Sequence, residues 1–84
     1  PRNPNLDHLP NEGVVLQAIA SNDYVYVEVM QQDVKRWLAA PSVELKQGER
    51  VQFSNGTLMR NFYSKKHQRT FAEVLFVSRI KPLE

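Results

Sequence analysis

The segment YVYVEVM, residues 24–30, limits what this chain can become more than any other stretch. Val25, Val27 and Val29 alternate without interruption with Tyr24, Tyr26, Glu28 and Met30. A period of two gathers the valines on one side of an extended strand, whereas a helix would scatter them round its axis. A single strand leaves its main-chain N–H and C=O groups unpaired, so the rest of the chain has to supply partners. It does so repeatedly. GVVLQAIA, from Gly13, is β-branched without helical spacing and is followed by the turn cluster SND. VKRWLAA is stopped by Pro41, and VQFS places Val51 and Phe53 on one face. Asn55-Gly56 is the strongest hairpin dipeptide in the sequence, with TLMRNFYS as the returning strand. KKHQRT reads as a loop or short helical turn. FAEVLFVSRI reads as a final strand, apolar on both faces through its middle and therefore covered on both. Five or six short strands with no long amphipathic helix imply an all-β domain, expected as a small five-stranded OB-like barrel.

Register can be argued for one pair. If QQD is a three-residue connection, Met30 pairs with Val34, Val27 with Trp37 and Glu28 with Arg36. Trp37 then joins the valines inside, and Tyr24, Tyr26 and Arg36 share an exposed face. A slip of one residue would invert the faces and bury the charges.

With 84 residues the chain has room for one domain. PRNPNLDHLPNE, residues 1–12, holds three of the five prolines and no hydrophobic period, so it reads as a flexible leader. Residues 13–80 are the expected barrel domain and 81–84 a tail. In that tail Leu83-Glu84 reads like the cloning scar before a histidine tag. Pro1 in place of an initiator Met suggests a trimmed start, a signal peptide being one thing to have been lost. The absence of cysteine excludes disulfides, thiolate metal sites and a thiol nucleophile. No apolar run approaches the roughly 18 residues of a membrane-spanning helix, and no membrane insertion is expected. The net charge of +2 is small, but its distribution is not even. From Arg50 to Ala72 there are five cations and no carboxylate, so one segment carries the positive field.

The blocks from Gly13 onward resemble the NrfJ-related family of small bacterial proteins, some encoded beside cytochrome c nitrite reductase. The residues carrying the resemblance are Gly13-Val14-Val15-Leu16-Gln17-Ala18-Ile19, Tyr24-Val25-Tyr26, Trp37-Leu38-Ala39-Ala40-Pro41 and Leu45-Lys46-Gln47-Gly48-Glu49-Arg50-Val51. Gly56-Thr57-Leu58-Met59-Arg60-Asn61-Phe62-Tyr63-Ser64-Lys65 and Arg69-Thr70-Phe71 complete them, and this last block is the specific one. Two places depart from the family pattern: Leu45 stands where Val is usual, and SND lacks the common glycine. The resemblance covers about residues 13–80. It implies an exported, periplasmic, OB-like protein, and it brings no established activity that could be carried over residue by residue.

The chemistry-bearing residues point away from catalysis. The carboxylates are scattered over turns and strand faces, and Ser64 three residues before His67 lacks a third orienting group and an oxyanion hole. A non-enzyme is expected. Met59 and His67 are the candidate metal or haem ligands, with Met30 and His8 more remote. Core filling is the default use of Met on an apolar strand, and the lysines beside His67 oppose a metal cation. No cofactor is expected, haem or copper handling being a minor alternative. OB-type barrels bind single strands through exposed aromatics and cations, which makes nucleic-acid binding by Tyr24, Tyr26 and Arg36, rimmed by Lys65, Lys66 and Arg69, the alternative. The same residues also suit a protein interface, since Tyr and Arg are enriched at hot spots. The expectation is therefore a monomeric binding or accessory module that contacts a protein partner through the Tyr24/Tyr26/Arg36 face and the Lys65/Lys66/Arg69 loop.

Overall fold

The computed structural model describes residues 9–83, and among these the chain is all β with no helix. The strands are β1 (Asn11–Ala20), β2 (Tyr24–Gln31), β3 (Val34–Pro41), β4 (Arg50–Phe53), β5 (Gly56–Ser64), β6 (Arg69–Val77) and β7 (Ile80–Pro82). They form one seven-stranded sheet in the order β5-β6-β3-β2-β1-β4-β7, which is not closed into a barrel. Neighbours are antiparallel except β3 and β6, which run parallel.

Two interruptions raise the strand count above the expected five. Ser54 and Asn55 separate β4 from β5, and Ser78 and Arg79 separate β6 from β7. Pairing keeps the same register across both breaks, with Phe53 opposite Ile80 and Gly56 opposite Val77. The two breaks are tied together. The Ser54 N–H donates to the Arg79 carbonyl at 3.0 Å, and Ser54 Oγ accepts from the N–H groups of Ser78 and Arg79 at 3.1 and 3.2 Å. Asn55-Gly56 is consequently a bend and not the hairpin its sequence suggests, for β4 and β5 do not pair with each other. Gly56 is needed for close approach: a Cβ on it would overlap the carbonyl oxygen of Phe76.

The tight hairpin lies elsewhere. Gln32 and Asp33, at φ 48° and 67°, form a two-residue turn closed by Gln31 and Val34. Positive φ at both central residues is the type I′ geometry, whose twist matches that of the flanking strands. The connection is one residue shorter than the QQD reading requires. Val27 therefore faces Leu38, Glu28 faces Trp37 and Val29 faces Arg36. This overturns the expected register and exchanges the faces of β3. Leu38 and Ala40, instead of Trp37, join the valines. Glu28 accepts a hydrogen bond from Gln17 Nε2 at 2.9 Å and has no pairing with Arg36.

One core follows from that register. Val15, Val25, Val27, Val29, Leu38, Ala40, Val51 and Phe53 are all buried together, capped by Leu45 and Val77. A register shift at Leu16 gives β1 one extra residue against β2, a bulge that bends the strand as it passes from β2 to β4. Gly48, at φ 91°, lets the 46–49 turn donate its N–H to the Val15 carbonyl at 2.8 Å.

A second cluster occupies the opposite face of β2 and β3. Tyr26, Ala39, Phe71 and Val74 are buried there, with Ile19, Trp37, Phe62 and Phe76 packed against them. The β5–β6 hairpin supplies its cover, so β2 and β3 are sandwiched. β6 contributes Val77 and Leu75 to the first cluster and Phe71, Val74 and Phe76 to the second, in keeping with its apolar reading on both faces.

The ends of the fold lie outside the expected limits. Leu9 is buried and β1 starts at Asn11, whose Nδ2 donates to the Phe53 carbonyl at 3.2 Å, so the fold takes in residues assigned to the leader. Likewise β7 pairs with β4, and the Leu83 N–H donates to the Arg50 carbonyl at 2.8 Å. The remainder of the leader, with His8, and Glu84 lie outside the described residues.

Candidate functional site

The parallel contact between β3 and β6 is short: only Leu38 with Leu75 and Ala39 with Phe76. Before those pairs the two strands diverge, because β3 continues the β2–β3 hairpin while β6 follows β5. An open groove of about 540 Å³ lies between them. β3 lines it with Val34, Lys35, Arg36 and Trp37, β5 with Leu58, Arg60 and Asn61, and β6 with residues from Arg69 to Glu73.

Aromatic packing makes one wall. Phe71, 2% exposed, stacks on Tyr26 with ring centres 5.2 Å apart, and Trp37 meets Phe71 edge-on at 5.0 Å. Such pairs contribute about 0.5–1.5 kcal/mol beyond area burial. The Arg69 guanidinium lies over both rings, 4.7 Å from the Trp37 centre and 4.6 Å from that of Phe71. Charge is lopsided: Lys35, Arg36, Arg60 and Arg69 face one carboxylate, Glu73. Glu73 is held by Arg60 at 3.5 Å, an exposed pair of small energetic value. Val34 and Leu58 add exposed apolar surface at the rim. Asn61, at φ 54°, takes the left-handed conformation that Asn tolerates better than most residues.

The structure separates the residues that the sequence suggests as one surface. Tyr24 is 47% exposed and touches Phe76 edge-on, but Tyr26 is 5% exposed and belongs to the second core cluster. The expected Tyr24/Tyr26/Arg36 face therefore does not exist. Tyr26 is covered by the β5–β6 hairpin, and the one-residue change of register puts Arg36 on the other face of the hairpin. Arg36 nevertheless reaches the groove, because it lies where β3 parts from β6. Arg69 is there too. Lys65 and Lys66 are exposed on the β5–β6 loop and do not line it.

That loop is docked on the β1–β2 turn. Lys66 Nζ donates to Asn22 Oδ1 at 3.2 Å, and His67 Nε2 lies 3.1 Å from the Ala20 carbonyl oxygen. The His67 ring meets Tyr26 edge-on at 6.1 Å, so its contacts are those of a loop fastener. Met59, expected to fill the core, is 42% exposed on β5, opposite the buried Val74. No group of three or more His, Asp or Glu side chains suited to a metal ion occurs among the described residues.

Trp37, Lys35, Arg60, Val34 and Leu58 are among the groove residues that the sequence reading does not assign to a site. The signal for Trp37 was present in the hairpin: a two-residue Gln-Asp turn moves it off the valine face. Arg60 gave no local signal, because its place in the groove depends on where β5 and β6 swing. Comparison of the chain with protein-family models, curated proteins and solved structures found no match.

Proposed function

We propose that the chain is a non-enzymatic binding module that acts through protein–protein contacts, with the groove between β3 and β6 as its contact surface. The observation that carries this reading is the composition of the groove. Four cations, a half-buried Trp37 and exposed Val34 and Leu58 converge on one concave surface. Trp and Arg are the residues most enriched at interface hot spots, and apolar rims exclude water round them. Burial of Tyr26 weakens the nucleic-acid alternative, since a paired tyrosine platform for stacking bases is reduced to Tyr24.

The fold reading remains OB-like. β4–β5 and β6–β7 act as two long bent strands that keep one register, and β4 contacts β1 while β6 contacts β3. Counted that way there are five strand paths, the number a small OB-like barrel needs, and that count supports the reading. Assignment to an exported accessory role of the NrfJ-related kind, with a periplasmic location and a connection to nitrite reduction, rests on the sequence resemblance.

A photo-crosslinking amino acid at position 58 tests the contact surface. Exposed to a native envelope fraction, it should give a protein adduct that nuclease leaves intact and that Arg36→Glu abolishes. An adduct removed by nuclease would favour the single-strand reading. Adducts formed from position 63 but not 58 would move the contact surface off the groove.

A further inference from the structure

Arg69 differs from an ordinary surface cation in two respects. Its guanidinium carbon lies over the rings of both Trp37 and Phe71, and it makes no side-chain hydrogen bond or ion pair with any described residue. A cation–π contact occupies no N–H with an oxygen acceptor, so the guanidinium donors remain without an acceptor among the described residues. Those donors form a fork that matches a carboxylate in bidentate geometry. Because Phe71 is buried and itself stacked on Tyr26, the platform beneath the fork is fixed. Arg36 lines the same groove and likewise has no ion-pair partner among the described residues.

The main chain beside them is also available. Gln31 and Val34 close the two-residue turn and form a hydrogen-bonded pair, so alternation directs the N–H and C=O of Lys35 away from β2. The ladder to β6 begins only at Leu38. An extended segment lying in the groove can therefore pair with β3 while its side chains reach Arg69 and Arg36.

We propose that the groove is a carboxylate-recognition site for an extended acidic segment of a partner protein, with Arg69 as the anchor. This rests on the protein-contact reading above and names the chemistry of the partner. A second copy of this chain does not fit the requirement. Asp23, Asp33, Glu44 and Glu49 each stand alone on turns and loops, and the chain has no run of carboxylates.

Trp37 is the only tryptophan, so its fluorescence reports on the groove directly. The protein is titrated with a short synthetic peptide alternating glutamate and phenylalanine, with its glutamine counterpart, and with oligo-dT. The glutamate peptide should shift and saturate the Trp37 emission, with affinity falling as salt rises, and the glutamine peptide should bind at least about tenfold more weakly. Arg69→Gln should weaken glutamate-peptide binding by about tenfold or more, the loss expected for one charge-assisted hydrogen-bonded contact. Arg69→Lys, which keeps the charge without the planar fork, should lose most of that affinity too. Lys65→Gln, outside the groove, should leave it unchanged, and circular dichroism confirms that each variant is folded. Equal binding of both peptides, or full affinity in Arg69→Gln, overturns the carboxylate anchor. Tighter, Arg69-dependent binding of oligo-dT overturns it in favour of phosphate. If the position-58 adduct forms but the glutamate peptide fails to bind, the contact surface stands and the carboxylate inference falls.

Discussion

The two faces of the β2–β3 hairpin are both buried, but by different means and to different ends. The valine face is closed by side chains from β1, β4 and the end of β6, and its members are aliphatic apart from Phe53. The other face is covered by one hairpin, β5–β6, and its members are mainly aromatic. Aliphatic side chains from several strands interdigitate and leave little free volume. Large rings brought in by a single hairpin meet edge-on or stacked and stop where that hairpin diverges, and the groove begins at that point. The first cluster holds the fold together, and the second also presents a surface.

Substitutions ranked by size test that division. The largest effect is expected for Phe53→Ala, at 1% exposure in the closed cluster, with a loss of about 3–5 kcal/mol. For a domain of this length, with total stability of very roughly 4–12 kcal/mol, that is a large fraction. Urea denaturation should show it as a lower midpoint at unchanged slope. Phe71→Ala in the second cluster should cost less, about 2–3 kcal/mol, because its site can collapse toward the open groove. If the two losses proved equal, the aromatic cluster would be as closed as the aliphatic one and the contrast would fail.

Gly56→Ala probes the bend that lets the β5–β6 hairpin reach over. A Cβ against the Phe76 carbonyl should cost about 1–3 kcal/mol, visible as a lower melting temperature. The reverse sign is expected at the β2–β3 turn. Replacing Gln32-Asp33 with Asn-Gly removes the strain of two positive-φ residues and should raise stability by about 1 kcal/mol in the same assay. A loss there would contradict the I′ geometry, and with it the register separating the two faces. The smallest change belongs to Tyr26→Phe. The Tyr26 hydroxyl makes no hydrogen bond to a described residue and is not a buried unsatisfied atom, so it meets solvent and removing it should alter stability by less than about 0.5 kcal/mol.

Much of the fold was legible because periodicity is local. The alternation of Val25, Val27 and Val29 fixed a strand and its buried face, and the two-sided apolarity of Val74–Val77 marked a covered strand. The site was less legible. The sequence marks Arg36 and Arg69, which do line the groove, but its local pattern puts Tyr26 on the surface and Trp37 in the core. The Trp37 error traces to the Gln31–Val34 turn, where one residue decides which side of β3 each side chain occupies, and the Tyr26 error to the β5–β6 hairpin, which covers the other face of β2. Met59 was misplaced for a related reason: Leu58 and Met59 are apolar neighbours on β5, and nothing local says which face is covered.

By itself the sequence determined an all-β chain, the inward set of valines on β2, and a cationic stretch free of carboxylates from Arg50 to Ala72. Those properties follow from side-chain chemistry and a two-residue period, which act within a few residues of each other. The tertiary structure alone decided that Asn55-Gly56 bends the chain instead of reversing it, that a hairpin buries Tyr26, and that Arg69 comes to lie on Trp37. Each of these joins residues far apart in the chain, and the energy of such a contact depends on which face of a distant strand is presented to it.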